Sequence, residues 1–348
     1  MMKTHLILLL FLFLFSGAAK SQVADTVRVG NRNMMLAEKA YNEGISLYNE
    51  SKFTESMQKF NEAISLRPNF VKAYYNRGVV KAALDDYEGA IDDYKIALEA
   101  IPDFAMAYFA RGKARMAQGD TQTAIKDFTG AIESNERLYF AYYYRGVLFT
   151  QEGKYDEAID DFTTAINIKA DFAQAYNDRG SSRKLKGDLQ AAIADYQQAV
   201  FLDPGMAHAY NNLGSVMLSM QQYSQAHEFF TTAINIKPGY EKAFNNRAIA
   251  NMKLGWYDVA MEDVGKVLEK SPDNYIALTT RGLIRYRTED YQGAEDDFTL
   301  AIRLNPEYAP AWLNRGIARE MLRDPQGAKL DWEKAVSLGL TEAEEYLE

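Results

Sequence analysis

From Ala37 onward the apolar positions of the chain fall into two alternating helical phrases, each spaced by three and four residues. Residues 139–172 show both. Ala141, Tyr142, Gly146 and Phe149 mark one face of a first helix, and Ala158, Ile159, Phe162, Ala165 and Ile166 mark one face of a second, starting at about Tyr155. Gly153 lies between them, where a residue tolerant of left-handed angles ends a helix. So short a link folds the two helices back antiparallel. Gly146 and Ala158 let the backbones approach, and Tyr142 and Phe162 fill the space beside them. In the last such segment Asp324-Pro325 marks the second boundary, since Pro is favoured at the first helical position after an acidic cap.

The pattern returns every 34 residues, giving nine units that start at 37, 71, 105, 139, 173, 207, 241, 275 and 309. Position 8 of each unit is Gly (Gly44, Gly78, Gly112, Gly146, Gly180, Gly214, Gly282, Gly316), with Ala248 in the one gap. Position 20 is Ser56 and thereafter Ala, from Ala90 to Ala328. Six of the eight prolines share position 32. With an aromatic at 4, Gly at 8, Ala at 20, an aromatic at 24, Ala at 27 and Pro at 32, the units resemble the tetratricopeptide repeat. The resemblance covers residues 37–342. It implies an all-α chain: a right-handed superhelical solenoid of nine antiparallel helix pairs, first helices lining the concave face, with a short C-terminal capping helix. The usual role it implies is holding other polypeptides. Departures are local: Glu136, Ala170 and Leu340 replace Pro, and Val264 and Val267 replace the aromatic and Ala of the seventh unit.

The ends differ from the units. Residues 1–21 carry Lys3, an unbroken apolar run from Leu6 to Phe15, and small residues from Ser16 to Ala19, the plan of a secretory signal peptide. The run is about ten residues, half of what a membrane span needs. Cleavage is expected before Gln22. Residues 22–36 read as a leader, with Met34, Met35 and Leu36 able to extend the first helix; residues 343–348 read as a C-terminal cap, and Thr341 to Glu348 as a short polar helix over the last hairpin.

Composition narrows the setting. The chain has no cysteine, which excludes disulfides, thiolate metal sites and a cysteine nucleophile, and an exported chain without disulfides fits a bacterial periplasm, with outer-membrane association open. Removing Lys3 and Lys20 takes the formal charge from −9 to −11. So acidic a chain, with no basic run, is a poor partner for nucleic acid. No phosphate loop or Gly-x-Ser-x-Gly elbow occurs. The adjacent pairs Asp92-Asp93, Asp160-Asp161 and Asp296-Asp297 point about 100° apart on a helix, which disfavours a metal site. No cofactor, metal or enzymatic activity is expected.

A second regularity joins positions 7 and 23. Arg77, Arg111, Arg145, Arg179, Arg247, Arg281 and Arg315 occupy the first; Asp93, Asp127, Asp161, Asp195, Asp263, Asp297 and Asp331 occupy the second in the same units. The exceptions change together: Glu43 with Lys59, and Leu213 with Phe229. In a hairpin centred near position 15 the two positions face each other, so an ion pair inside each hairpin is expected, fixing register more than adding stability.

The resemblance places positions 2, 5, 9 and 12 of the first helices, with 6 alongside, on the concave face. There Tyr41, Tyr48, Tyr75, Phe109, Phe140 and Tyr143 form an aromatic half, and Asn177, His208, Asn211, Asn212, Asn245 and Asn246 a polar half. Lys72, Lys113, Lys184 and Lys242 outnumber Glu38 and Glu320 on this face. Aromatics grip apolar side chains at little entropic cost, and Asn can both donate to and accept from a peptide backbone. The expected function is an exported, non-catalytic scaffold that holds other proteins or peptides in this groove to organise an envelope complex. Two other readings stay open: a structural subunit acting through its convex face or self-association, and glycan binding. Oligomeric state is not legible.

Overall fold

The computed structural model describes residues 31–347, so the expected signal peptide, the leader up to residue 30 and Glu348 lie outside the described residues. Eighteen α-helices are present among those residues. They pair as α1 (residues 31–49) with α2 (Phe53–Leu66), α3 (Val71–Ala83) with α4 (Tyr87–Ala100), α5 (Ala105–Ala117) with α6 (Thr121–Ser134), and α7 (Tyr139–Gln151) with α8 (Tyr155–Ile168). There follow α9 (Ala173–Lys186) with α10 (Leu189–Leu202), α11 (Ala207–Ser219) with α12 (Tyr223–Ile236), and α13 (Glu241–Lys253) with α14 (Tyr257–Lys270). The last pairs are α15 (Tyr275–Arg287) with α16 (Tyr291–Leu304) and α17 (Ala309–Met321) with α18 (Pro325–Ser337). The chain divides into two compact units, one up to Lys169 holding four pairs and one from Ala170 holding five.

Each hairpin turns through a left-handed residue. Gly119, Gly153, Gly187 and Gly255 take this place at φ of +75 to +94°, whereas Ser51, Asp85, Gln221, Glu289 and Arg323 hold φ of 60 to 65° with a side chain present. Several second helices then start from an Asp cap: Asp86, Asp188, Asp290 and Asp324 accept from the backbone N–H three residues on, the last with Pro325 at the first helical position.

Close approach inside the hairpin explains the position-8 lattice. A Cβ on Gly214 would stand 2.6 Å from Phe230 Cε1, and one on Gly282 2.7 Å from Phe298 Cε1. These aromatic rings are fully buried, so neither can swing aside. The seventh repeat confirms the cause by exception, since Ala248 faces the smaller Val264 and both are completely buried. In the first repeat Ser56 replaces Ala at position 20, and its buried hydroxyl donates to Gly44 O at 2.7 Å.

Every position-7 arginine lies on the aspartate of its own hairpin. Nη2 stands 2.6–2.8 Å from the carboxylate in Arg77–Asp93, Arg111–Asp127, Arg145–Asp161, Arg179–Asp195, Arg247–Asp263, Arg281–Asp297 and Arg315–Asp331. In the first repeat Lys59 reaches Glu43 at 2.7 Å, and in the sixth Leu213 packs with Phe229. The aspartates are buried, as is Arg315, and the other arginines are partly exposed. A second cation shares several of these carboxylates: Lys81 on Asp93, Arg115 on Asp127, Arg183 on Asp195, Arg285 on Asp297 and Arg319 on Asp331. The arginines also reach back one repeat, as Arg145 Nη1 donates to Thr129 Oγ1 and Arg247 Nη1 to Thr231 Oγ1, each at 3.0 Å. Where such a bond forms, the pair fixes both its own hairpin and the hairpin's seat on its neighbour.

The C-terminal end closes with a 3-10 helix over Thr341–Tyr346, tighter than an α-helix. Its own Ala343 is buried, and the Tyr346 ring rests 5.1 Å from Trp332.

Candidate partner-binding surface

Within each compact unit successive first helices touch one another, α3 with α5 in one and α9, α11, α13, α15 and α17 in series in the other. The second helices of neighbouring repeats do not meet to that degree among the described residues. First helices therefore lie on the inside of each unit's bend, and their free faces form the candidate surface. Position 2 gives that surface its exposed side chains: Glu38, Lys72, Met106 and Phe140 in the first unit, Gln174, His208, Lys242 and Ile276 in the second.

In the first unit the position-5 aromatics are half-buried wedges between repeats. The Tyr75 ring packs 5.8 Å from Tyr94 of its own hairpin and 4.9 Å from Phe104 ahead of the next. Tyr41 sits likewise between Phe60 and Phe70, and its hydroxyl accepts from Asn76 Nδ2 at 2.9 Å. Phe109 meets Phe128 and Phe140, and Tyr143 meets Phe162. Burial pushes the Tyr75 phenol above its usual range, so it stays protonated and uncharged. Its free edge, with Tyr48, Val79, Met106, Phe109 and Lys113, walls an open cleft of about 420 Å³. Lys113 Nζ donates to Tyr144 Oη at 3.2 Å and lies 4.7 Å above that ring, at the cleft's polar rim. Sequence reasoning did not single out Val79 or the small residues Ala82 and Ala83 beside it, because apolar residues at helical spacing look alike whether they face core or cleft.

In the second unit the structure corrects the asparagine reading. Asn177, Asn211 and Asn245 are only 4, 1 and 7 % exposed, so they are not free to grip a peptide from the surface. Position 5 points into the seam between repeats, where an aromatic packs in the first unit and an amide hydrogen-bonds in the second. Asn212 Nδ2 donates to Asn177 Oδ1, and Asn246 Nδ2 to Asn211 Oδ1, each at 3.0 Å. Asn212 and Asn246 are half-buried donors in this ladder, and His208 is exposed. On α12, His227 Nδ1 lies 2.6 Å from Asn251 Oδ1, and Asn251 Nδ2 donates to Asp263. Among the described residues no three His, Asp or Glu side chains gather as metal ligands, and no helix is long and apolar enough to cross a membrane.

Antiparallel hairpins on a fixed period, with a face of first helices within each compact unit, define a helical-repeat scaffold. Models of the tetratricopeptide repeat match residues 71–104, 109–176, 207–240, 245–309 and 279–336, and a further model of the repeat matches 44–85 and 180–221. The chain belongs to the tetratricopeptide-repeat family, whose members are typically non-catalytic scaffolds for protein–protein interaction. None of the curated proteins compared matches it. Among solved structures it is similar to a tetratricopeptide repeat protein from Parabacteroides merdae, at 19 % identity and TM-score 0.61, over 70 % of this chain and 97 % of that one. The C-terminal part of a TPR repeat-containing protein from Cytophaga hutchinsonii aligns at 21 % identity and TM-score 0.50, over 69 % and 99 %. A chain of the APC/C hetero-tetramer Cut9–Hcn1 aligns at 17 % identity and TM-score 0.59, over 79 % of this chain and 54 % of that one. At these identities the likeness is one of fold.

Proposed function

We propose that the protein is an exported, non-catalytic scaffold that holds partner polypeptides on its first-helix face and thereby organises a complex of the bacterial envelope. The observation that carries this reading is the cleft walled by Tyr48, Tyr75, Met106 and Phe109. It offers aromatic surface, already ordered by packing on Tyr94 and Phe128, to an apolar side chain of a partner. Export rests on the N-terminal charge and apolar pattern of residues 1–21, and a periplasmic address on the absence of cysteine. The test is partner capture in the native cell by the wild type and by a Tyr48→Ala, Met106→Ala variant, with fractionation and N-terminal sequencing of the mature chain. The reading requires a chain beginning at Gln22 and a partner lost from the variant. Unchanged capture would refute the groove.

One feature favours a second reading, in which the outer face of the second helices makes the contact. Phe201 on α10 and Leu330 on α18 are 77 and 65 % exposed, large apolar side chains with no packing role. Capture lost on Phe201→Ser, and kept on changing Tyr48 and Met106, would select it.

A further inference from the structure

The aromatic cleft of the first compact unit has a polar group at its base. Tyr94, on α4, stands at position 24 of its repeat, where Phe60, Phe128, Phe162, Phe230 and Phe298 stand in others. It is only 1 % exposed, yet it lines the cleft beside Tyr48 and Tyr75. Its ring edge covers Gly78, with Cζ 3.1 Å from where a Cβ would be, so the hydroxyl projects past α3 toward the cleft. Two further repeats carry a polar side chain at this position, and each answers it within its own hairpin. Tyr196 Oη donates to Ser181 Oγ at 3.2 Å, and Trp332 Nε1 to Leu313 O at 3.3 Å. Ser181 is position 9 of its repeat, and the same position in the second repeat is Val79. Among the described residues Tyr94 Oη therefore has no hydrogen-bond partner. Unlike Asn245 Oδ1, which is buried with no donor, it is not sealed from the cleft.

A hydroxyl so placed disfavours an apolar group pressed onto it and favours a ligand that bonds it. Burial raises the Tyr94 phenol far above its usual range, and negative charge on Tyr75, Asp93 or Tyr48 would raise it further. The group is thus a neutral O–H, with the hydroxyls of Tyr75 and Tyr48 nearby. Surroundings that oppose charge on Tyr94 also oppose it on a ligand atom bonded there, so the matching group is neutral. The rest of the wall is apolar, with Val79, Ala82, Met106 and Phe109. A sugar ring, with hydroxyls on every side, would leave most of them without partners against that wall. A flat ring with one hydroxyl at its far end meets both demands.

We propose that this cleft is selective for tyrosine: a tyrosine side chain of the partner lies against Tyr75, Met106 and Phe109, and its hydroxyl meets that of Tyr94. The proposal rests on the aromatic-cleft reading above and names the side chain that the cleft takes. Tyr94 Oη donates to the incoming phenol oxygen, whose own O–H is left to donate to the Tyr75 or Tyr48 hydroxyl. Val79 is then the residue that sets the selectivity, because a serine there would satisfy Tyr94 from within the fold, as Ser181 does Tyr196.

The test is an NMR titration of the whole chain with N-acetyl-tyrosinamide and N-acetyl-phenylalaninamide. N-acetyl-phosphotyrosinamide and cellotetraose serve as comparisons. The tyrosine amide is expected to bind about fivefold more tightly than the phenylalanine amide. A merely apolar cleft would give the opposite order, since phenylalanine is the more apolar of the two. Tyr94→Phe installs the residue that five other repeats carry, so it should melt no lower than the wild type and should reverse the order. Val79→Ser should cut the preference to about twofold or less. No binding of the tyrosine amide, or phenylalanine amide bound as tightly by the wild type, would overturn the proposal. So would a tyrosine preference that survives Tyr94→Phe, or tighter binding of the phosphotyrosine amide or of cellotetraose. If the tyrosine preference is absent while partner capture is still lost in Tyr48→Ala, Met106→Ala, this inference falls and the aromatic cleft stands.

Discussion

Asp161 receives both its charged hydrogen bonds from one residue, Arg145, whose Nε and Nη2 each stand 2.8 Å from a carboxylate oxygen. The equivalent Asp195 is held by two arginines, Arg179 at 2.7 Å and Arg183 at 2.8 Å. The difference lies in Phe149, which fills the place of the second cation and lies 5.8 Å from the Arg145 guanidinium carbon, measured to the ring centre. Removing Arg145 therefore strands Asp161 completely. Arg145→Leu is expected to cost about 3 kcal/mol of unfolding free energy. Adding Asp161→Phe rebuilds the apolar pair that Leu213 and Phe229 form in the sixth repeat, and most of the loss should return. Chemical denaturation of both variants measures this, and a double variant no more stable than the single one would contradict the pairing.

The same site has a distinct pH signature. Burial pushes the Asp161 carboxyl above its ordinary range despite Arg145. A carboxyl whose pKa is raised by folding adds stability in acid, below its unfolded pKa, and loses that contribution as pH rises through the folded value. Phe149→Arg supplies the missing second cation and should lower the Asp161 pKa. Stability measured from pH 3 to 7 should then rise with pH relative to the wild type, with a gain on the order of 1 kcal/mol at neutrality. A flat difference across that range would show that the new arginine does not reach the carboxylate.

Packing under the position-8 glycines predicts a compensating pair. Gly282→Ala drives a methyl group into the Phe298 ring and should cost about 2 kcal/mol. Gly282→Ala with Phe298→Val reproduces the Ala248–Val264 arrangement of the seventh repeat and should be more stable than Phe298→Val alone. Thermal melts of the three variants decide the matter. Simple additivity of the two changes would mean that the glycine serves backbone freedom rather than close approach.

The fold was legible because a strict 34-residue period multiplies weak local signals. A single Gly at position 8 says little, whereas eight on one lattice opposite buried aromatics mark one helix contact repeated. The groove was harder to read. The family resemblance put position 5 on the open face, yet it falls in the seam between repeats, where Tyr75 and Asn211 are held from both sides. Contacts between repeats have no period of their own in one repeat's sequence. A signal did exist for the shared carboxylates, since Lys81, Arg115, Arg183, Arg285 and Arg319 all stand at position 11, four residues after the arginine. The missing third rung, from position 280 to Asn245 Oδ1, which is buried without a donor, could be found only with the 35-residue spacing from Asn212 to Asn177 in hand.

That spacing yields a stability prediction of its own. Thr280→Asn places a side-chain amide where Asn246 stands relative to Asn211, and should donate to Asn245 Oδ1. Satisfying one buried acceptor is worth about 1 kcal/mol. A higher denaturation midpoint in Thr280→Asn, abolished by a further Asn245→Ala, is the expected result. Equal effects of Thr280→Asn with and without Asn245 would show that the new amide bonds elsewhere.

The claim that the inner, first-helix face is the working surface can be tested by contact. Met106 on α5 and Ile96 on α4 are similarly exposed, at 41 and 39 %, but lie on a first and a second helix respectively. A photo-crosslinking amino acid placed at either position in the native cell reports what touches it. The account predicts a specific protein adduct from position 106 and none from position 96. An adduct from position 96 alone would contradict it.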